Sequence, residues 1–139
     1  MIQQYLLDTN IISDLIRNPQ GQVFERIRSV GEGAISTSVI VACELRYGAQ
    51  KKGSVQLTQR IEALLDRIEV LVLPANVDQK YGSIRADLER KGTLIGGNDL
   101  LIAAHAVSQN LTLVTANQSE FSRVTGLNVE NWLVDQPGT

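Results

Sequence analysis

Three carboxylates, Asp8, Glu44 and Asp99, stand in apolar stretches of the sequence. Asp8 ends the run Tyr5-Leu6-Leu7; Thr9 and Asn10 follow it, then Ile11, Ile12, Leu15 and Ile16 at helical spacing. That pattern is a buried strand with a carboxylate at its C-terminal end, where a helix begins. Ligands of open α/β sheets bind at this end of the strands. Glu44 lies within an apolar helix, with Ile40, Val41, Tyr47 and Gly48 on its own face and Arg46 turned away. Asp99 immediately precedes Leu100-Leu101-Ile102-Ala103-Ala104, a segment that must pack into a core. Each acid also has an ordinary structural role open to it. Asp8 and Asp99 can cap helices, and Glu44 can sit at the margin of a partly exposed one. As a set, however, they have no obvious internal counter-cation, and buried carboxylates are costly unless paired or metal-bound. Three oxygen donors converging at one sheet edge suit Mg²⁺ or Mn²⁺. Such an ion lowers the pKa of bound water and neutralises charge on a phosphate undergoing in-line displacement.

The elements that must position these acids read as alternating strands and helices. Strands are expected at 3–7, 34–36, 70–73, 111–115 and 127–129. Helices are expected at about 11–17, 21–29, 39–50, 55–67, 76–91, 100–109 and 119–125. Asn18-Pro19 stops the first helix. Lys51-Lys52-Gly53 and Arg90-Lys91-Gly92 supply positive charge and a glycine at two helix ends. The alternation argues for a parallel sheet covered on both faces. Residues 1–133 form one domain in this reading. Trp132 and Leu133 tack down its end, and the tail at 134–139 frays.

Composition narrows the function. The 139 residues fit one domain with a proper core. A net charge of −2 gives no globally basic surface, so a nucleic-acid site must be a local patch. The single cysteine, Cys43, excludes a disulfide framework and a multi-cysteine zinc site, and suits a reducing cytoplasm. It is read as an inert buried thiol. No signal peptide or bilayer-length apolar run is visible, so no membrane association is expected. The single histidine, His105, lies about 240° round the helix from Asp99, which makes it a core or supporting residue. With one histidine, metal-independent acid–base chemistry of the two-histidine kind is disfavoured. No glycine fingerprint follows the first strand, and there is no Walker A motif. An aspartate-nucleophile phosphotransferase wants a second acid two residues after Asp8, where Asn10 stands.

The end of the 111–115 strand adds Thr115, Asn117 and Glu120. Thr115 can hydrogen-bond and orient Asp8, and Asn117 can hold a bound water. Glu120 is either a more distant acid or a first-turn glutamate favoured by the helix dipole. Arg46, Lys51, Lys52 and Arg85, with Arg90 and Lys91, are candidate phosphate contacts. Aromatic residues are 4% of the chain, which argues against extensive base stacking.

Four segments in order, "LLDTN", "VACELRYGA", "GGNDLLIAAHA" and "LVTANQSEF", resemble the successive motifs of PIN-domain ribonucleases, and most closely those of VapC-type toxins. The resemblance extends through "IRADLERKG" and the "VENW" ending. It implies a three-layer α/β/α sandwich with a mostly parallel sheet and Mg²⁺- or Mn²⁺-dependent endoribonuclease activity. Asp8, Glu44 and Asp99 are then the acidic ligands, Glu44 acting through water, with Thr9, Asn10, Thr115, Asn117 and Glu120 in support. Initiator tRNA cut in its anticodon loop is the leading substrate. The resemblance also implies a homodimer and a larger hetero-oligomer with a VapB-type antitoxin, which covers the site and alone contacts operator DNA. A catalytically silent RNA- or protein-binding PIN module is the alternative. Two departures stand out. Asn117 occupies the position where a fourth acid often follows the strand-end threonine, leaving a second metal open. Gly97 replaces a proline often found before the third aspartate.

Overall fold

The computed structural model describes residues 3–133. The tail expected at 134–139 lies outside the described residues. Five strands form one sheet: β1 (Tyr5–Leu7), β2 (Ile35–Ser38), β3 (Glu69–Leu71), β4 (Thr112–Val114) and β5 (Val129–Glu130). Their order is β3-β2-β1-β4-β5, and every pairing is parallel. The sheet is therefore wholly parallel rather than mostly so. Parallel neighbours need crossover connections, and the helices supply them. These are α1 (Thr9–Arg17), α2 (Gln22–Val30), α3 (Val39–Lys52), α4 (Val55–Arg67), α5 (Val77–Arg90), α6 (Gly97–Ser108) and α7 (Gln118–Phe121).

Burial follows from this arrangement. β1 and β4 lie inside the sheet and are buried along their whole length, as strands covered on both faces must be. β3, at one edge, is exposed or half-buried. The core takes Leu6, Leu7 and Leu113 from the sheet and Ile11, Ile12, Val41 and Ile102 from the helices, all without solvent exposure. Trp132 closes the lower edge. It is buried, its ring centroid is 5.1 Å from that of Tyr5, and its Nε1–H donates to Glu130 at 3.0 Å. This is the tacking role expected of it.

The order of strands is what creates a site. The chain leaves β1 toward β2 and β3 on one side, then returns across the sheet to β4 and β5 on the other. The crossover direction reverses between β1 and β4. At such a reversal the connections leave the strand ends in opposite directions and open a crevice at the C-terminal edge. Asp8 follows β1 there, and Thr115 follows β4.

Helix boundaries differ from the sequence expectation mainly at α7, which ends at Phe121 instead of near 125, and at α6. Helix α6 begins at Gly97, three residues before the expected start, with Gly96 at the N-cap. Asp99 therefore sits within the first turn and is not the cap. Gly97 occupies the first helical position, where proline's missing N–H and fixed φ would also fit, so the glycine changes stiffness and not geometry. At the far ends of α3 and α5, Gly53 and Gly92 take φ of 63° and 67°, the left-handed turn that β-carbon sterics disfavour in other residues.

Candidate active site

The site is built on β1, α1, α3, α6 and the β4–α7 turn. Asp8 is 3% exposed and both its oxygens are held. Oδ1 accepts the Thr9 N–H at 2.8 Å, and Oδ2 accepts the Thr115 hydroxyl at 2.8 Å. Asp8 is also the N-cap of α1, its carbonyl accepting from Ile11 and Ile12. Capping and site-facing roles are thus combined in one residue. Thr9 and Asn10 do other work. The Thr9 hydroxyl donates to Glu44 Oε1 at 2.9 Å, so one residue joins two of the acids. Asn10 clamps the β4–α7 turn: its Oδ1 accepts the Ala116 N–H at 3.0 Å, and its amide lies 3.5 Å from Thr115 Oγ1. Thr115 Oγ1 also accepts the Asn117 N–H at 3.0 Å. Asn117 thereby enters the site through its backbone. With Asn10 engaged in this way, the second acid of an aspartate-nucleophile phosphotransferase has no counterpart.

Asp99 is half-buried in the first turn of α6. A β-carbon on Gly96 would lie 3.3 Å from its Oδ2, so the glycine leaves that carboxylate room. Burial pushes its pKa up to about 6, with further repulsion from Asp8, Glu120 and Glu44. Burial also raises Asp8, against the opposing hydrogen bonds from Thr115 and Thr9. Four carboxylates therefore share one region. Glu120, in the first turn of α7, contributes to that repulsion. The spacing of motifs alone could not show this, because Glu120 reaches the others only through the parallel pairing of β1 with β4.

Among the described residues every ion pair lies elsewhere, on Asp14, Glu25, Glu32, Glu62, Asp87, Glu89 and Glu130. Nor do three acid, histidine or cysteine side chains among the described residues close into a ready-made metal cage. The donor set fits a hard cation that keeps several waters and takes one or two carboxylates directly.

Glu44 sits on the half-buried margin of α3. Its neighbour Tyr47 is 66% exposed, so the face is less enclosed than its apolar sequence suggests. Cys43 is exposed, which corrects the expectation of a buried thiol. The buried face of α3 is Val41, Ala42, Leu45 and Ala49, and a helical step carries Cys43 away from it. The candidate phosphate contacts divide. Arg46 pairs with Glu62 on α4, and Arg85 with Glu89 at 2.9 Å and Tyr81 at 3.0 Å. Arg90 and Lys91 both meet Asp87. Lys51 and Lys52 are exposed and have no carboxylate partner among the described residues.

A parallel α/β domain with acids gathered where its crossovers reverse defines the class: the chain belongs to the PIN-domain family, whose profile matches residues 5–127. Within that family it falls among the VapC ribonucleases. It is 40% identical over 130 residues to Ribonuclease VapC2 of Rickettsia felis, covering 92% of this chain and 97% of that one. It is likewise 40% identical over 133 residues to the tRNA(fMet)-specific endonuclease VapC of Shigella flexneri, covering 93% and 98%. In structure it is similar to VapBC2 from Rickettsia felis bound to a DNA fragment from their promoter. The TM-score there is 0.86 at 38% identity, over 94% of this chain and 99% of that one. A DNA-bound VapBC from Salmonella typhimurium gives 0.84 at 36% identity, over 94% and 98%.

Proposed function

We propose that in this chain, a VapC-type PIN endoribonuclease of a toxin–antitoxin pair, Asp8 and Asp99 would hold a Mg²⁺ or Mn²⁺ ion. In this reading Glu44 and Glu120 act through bound water. The observation that carries it is that Asp8, Glu44 and Glu120 all act on the Asp99 carboxylate at the sheet reversal, with no ion pair to any of the four among the described residues. When bound, the ion supplies charge neutralisation on the scissile phosphate and a water of lowered pKa.

The chain's own residues do the rest. Thr115 and the Thr9 N–H fix both oxygens of Asp8, leaving it one orientation. The Thr9 hydroxyl fixes Glu44 at a set distance from Asp8. Asn10 holds the turn that carries Thr115. The N-terminus of α6 contributes free N–H groups and a favourable dipole for a phosphate, and Lys51 and Lys52 extend a basic patch from the end of α3. Thr115→Val removes the hydroxyl and keeps the shape. It should weaken Mn²⁺ binding about 10-fold, as loss of a ligand-orienting hydrogen bond does, and Thr115→Ser should restore it. Calorimetric titration of the two variants checks this.

The substrate proposed is initiator tRNA, by likeness to the relative from Shigella flexneri, and the location is the cytoplasm, where tRNA is met. No helix among the described residues is long and apolar enough to cross a membrane. The partner is a VapB-type antitoxin. A groove of about 890 Å³ between α1, α2 and α4 suits it. Leu15, Ile16, Phe24, Ile27, Ile35 and Leu64 line its floor. Arg17, Arg28, Arg60 and Arg67 lie round it; Arg17, Arg28 and Arg67 pair with Asp14, Glu25 and Glu32, at side chains that stay largely exposed on the arginine side. That chemistry fits an amphipathic antitoxin segment carrying acidic side chains. In the assembly proposed, two copies of this chain pair, the antitoxin covers the site, and only the antitoxin touches operator DNA.

Expression with and without the neighbouring small reading frame tests the function. The expected result is growth arrest without it, relief with it, and one dominant tRNA cut bearing 5′-phosphate and 3′-hydroxyl ends. Purified protein should lose cleavage in EDTA and regain it with Mn²⁺. Cleavage that persists in chelator, or ends of the cyclic-phosphate type, would overturn the reading.

A further inference from the structure

His105 is the one histidine of the chain, and it has no solvent exposure. It lies on the buried face of α6, turned away from Asp99. An imidazole in such a core costs free energy unless its nitrogens are used. Both are used. Nδ1 is 2.9 Å from the Ser38 hydroxyl, and Nε2 is 3.1 Å from Gln109 Oε1 at the C-terminal end of the same helix. With an acceptor at Nε2, that nitrogen carries the hydrogen and Nδ1 is the acceptor. Ser38 then donates to Nδ1, which leaves its lone pairs free. One of them takes the Ile40 N–H at 3.2 Å, the capping bond of α3. Burial lowers the pKa of His105, so the neutral ring this pattern needs is the form present.

The two ends of the Ser38–His105 bond are 67 residues apart in sequence. Ser38 closes β2, where it pairs with Leu71 of β3, and it starts the helix that carries Glu44. His105 sits on the helix that carries Asp99. We infer that His105 is a positioning residue: it braces the start of the Glu44 helix against the Asp99 helix and so sets the separation of the two carboxylates. The inference rests on the metal site proposed above.

Two substitutions separate bracing from packing. His105→Asn places an amide oxygen near the Nδ1 position and keeps the acceptor for Ser38, but it is the smaller side chain. His105→Gln is closer to histidine in volume, but its amide reaches toward Gln109 and leaves Ser38 without an acceptor. A space-filling role ranks glutamine above asparagine; the brace ranks asparagine above glutamine. The experiment is a Mn²⁺ titration of the full chain and both variants, with amide hydrogen exchange at Ile40 measured in chelator. The asparagine variant should keep Mn²⁺ affinity within about threefold, and the glutamine variant should lose about tenfold or more. Ile40 exchange should accelerate only in the glutamine variant. Glutamine performing as well as or better than asparagine in both measurements would overturn the inference. If the unmodified chain fails to bind Mn²⁺, the metal site falls and takes the carboxylate-spacing role with it. The Ile40 exchange would then report only whether Ser38 and His105 are joined.

Discussion

Asp8→Asn is expected to lower RNA cleavage by at least about 10³-fold, some 4 kcal/mol of transition-state stabilisation, while the protein stays folded. The reason lies in how Asp8 is held. Asparagine keeps an oxygen to accept the Thr9 N–H, so the cap on α1 survives. Its amide then faces Thr115 Oγ1, which must accept where it had donated. Thr115 already accepts from the Asn117 N–H and, at 3.5 Å, from the Asn10 amide, so the exchange weakens one bond, at a cost of about 1 kcal/mol. Against that stands the removal of a buried charge that burial disfavours. The two terms nearly cancel, and the melting temperature should move by only a few degrees. Cleavage of labelled RNA alongside a thermal melt checks both halves. An active Asp8→Asn protein would remove Asp8 from the centre of the site. An unfolded one would mean that its capping role outweighs its chemistry.

Asp99→Asn should do something less ordinary: abolish activity and stabilise the metal-free protein at neutral pH. Asp99 is raised from 3.8 to about 6 by burial and by Asp8, Glu120 and Glu44. A group whose folded pKa is raised binds a proton in the folded state that the unfolded state has already released. Its stabilising contribution is present in full below the unfolded pKa and is lost as pH rises through about 6. In chelator, the melting temperature of the unmodified chain should therefore fall as pH rises from 3.8 to about 6 and level off above that, and Asp8, shifted the same way, adds to the fall. After allowance for solvent screening of a half-buried group, the loss is on the order of 1–2 kcal/mol, or several degrees. Asp99→Asn should lack its share of that fall and melt higher than the unmodified chain at pH 7.5. Mn²⁺ should reverse the order, because it stabilises only the chain that binds it. A metal-free Asp99→Asn protein that melts lower at pH 7.5 would show that the acids are not crowded as described. If the site holds an ion as proposed, this is the trade expected at a site kept for function: carboxylates that repel one another are tolerated where a cation would offset the repulsion.

These effects were only partly legible in the sequence. Asp8, Glu44 and Asp99 stood out because an acid among apolar residues at strand or helix spacing needs a reason. The alternation of strands and helices fixed the parallel class, and Asn18-Pro19, Gly53 and Gly92 marked helix ends by backbone sterics. What was not legible depended on tertiary pairing. Glu120 joins the acids only because β4 lies beside β1, and strand order is not written in local periodicity. The pairing of Arg46 with Glu62 was not visible either, because Glu62 belongs to the next helix. Cys43 and Tyr47 misled for a related reason. α3 carries apolar residues on several sides, and only its packing shows which side is the core. The early start of α6 escaped because Gly96 and Gly97 carry no capping side chain. Asp8 looked like a choice between cap and ligand, yet one carboxylate does the first and faces the site for the second.

Asp8 after β1 and the acids of α3, α6 and α7 are proposed to form one metal site. Anomalous diffraction from crystals soaked in Mn²⁺ tests it most directly, with a chelator-soaked crystal as control. The predicted result is a peak in contact with the Asp8 and Asp99 carboxylates, at about the 2.0–2.1 Å of a small hard cation, with waters toward Glu44 and Glu120. A map with no peak there at millimolar Mn²⁺, or a peak whose ligands leave out Asp8, would contradict it.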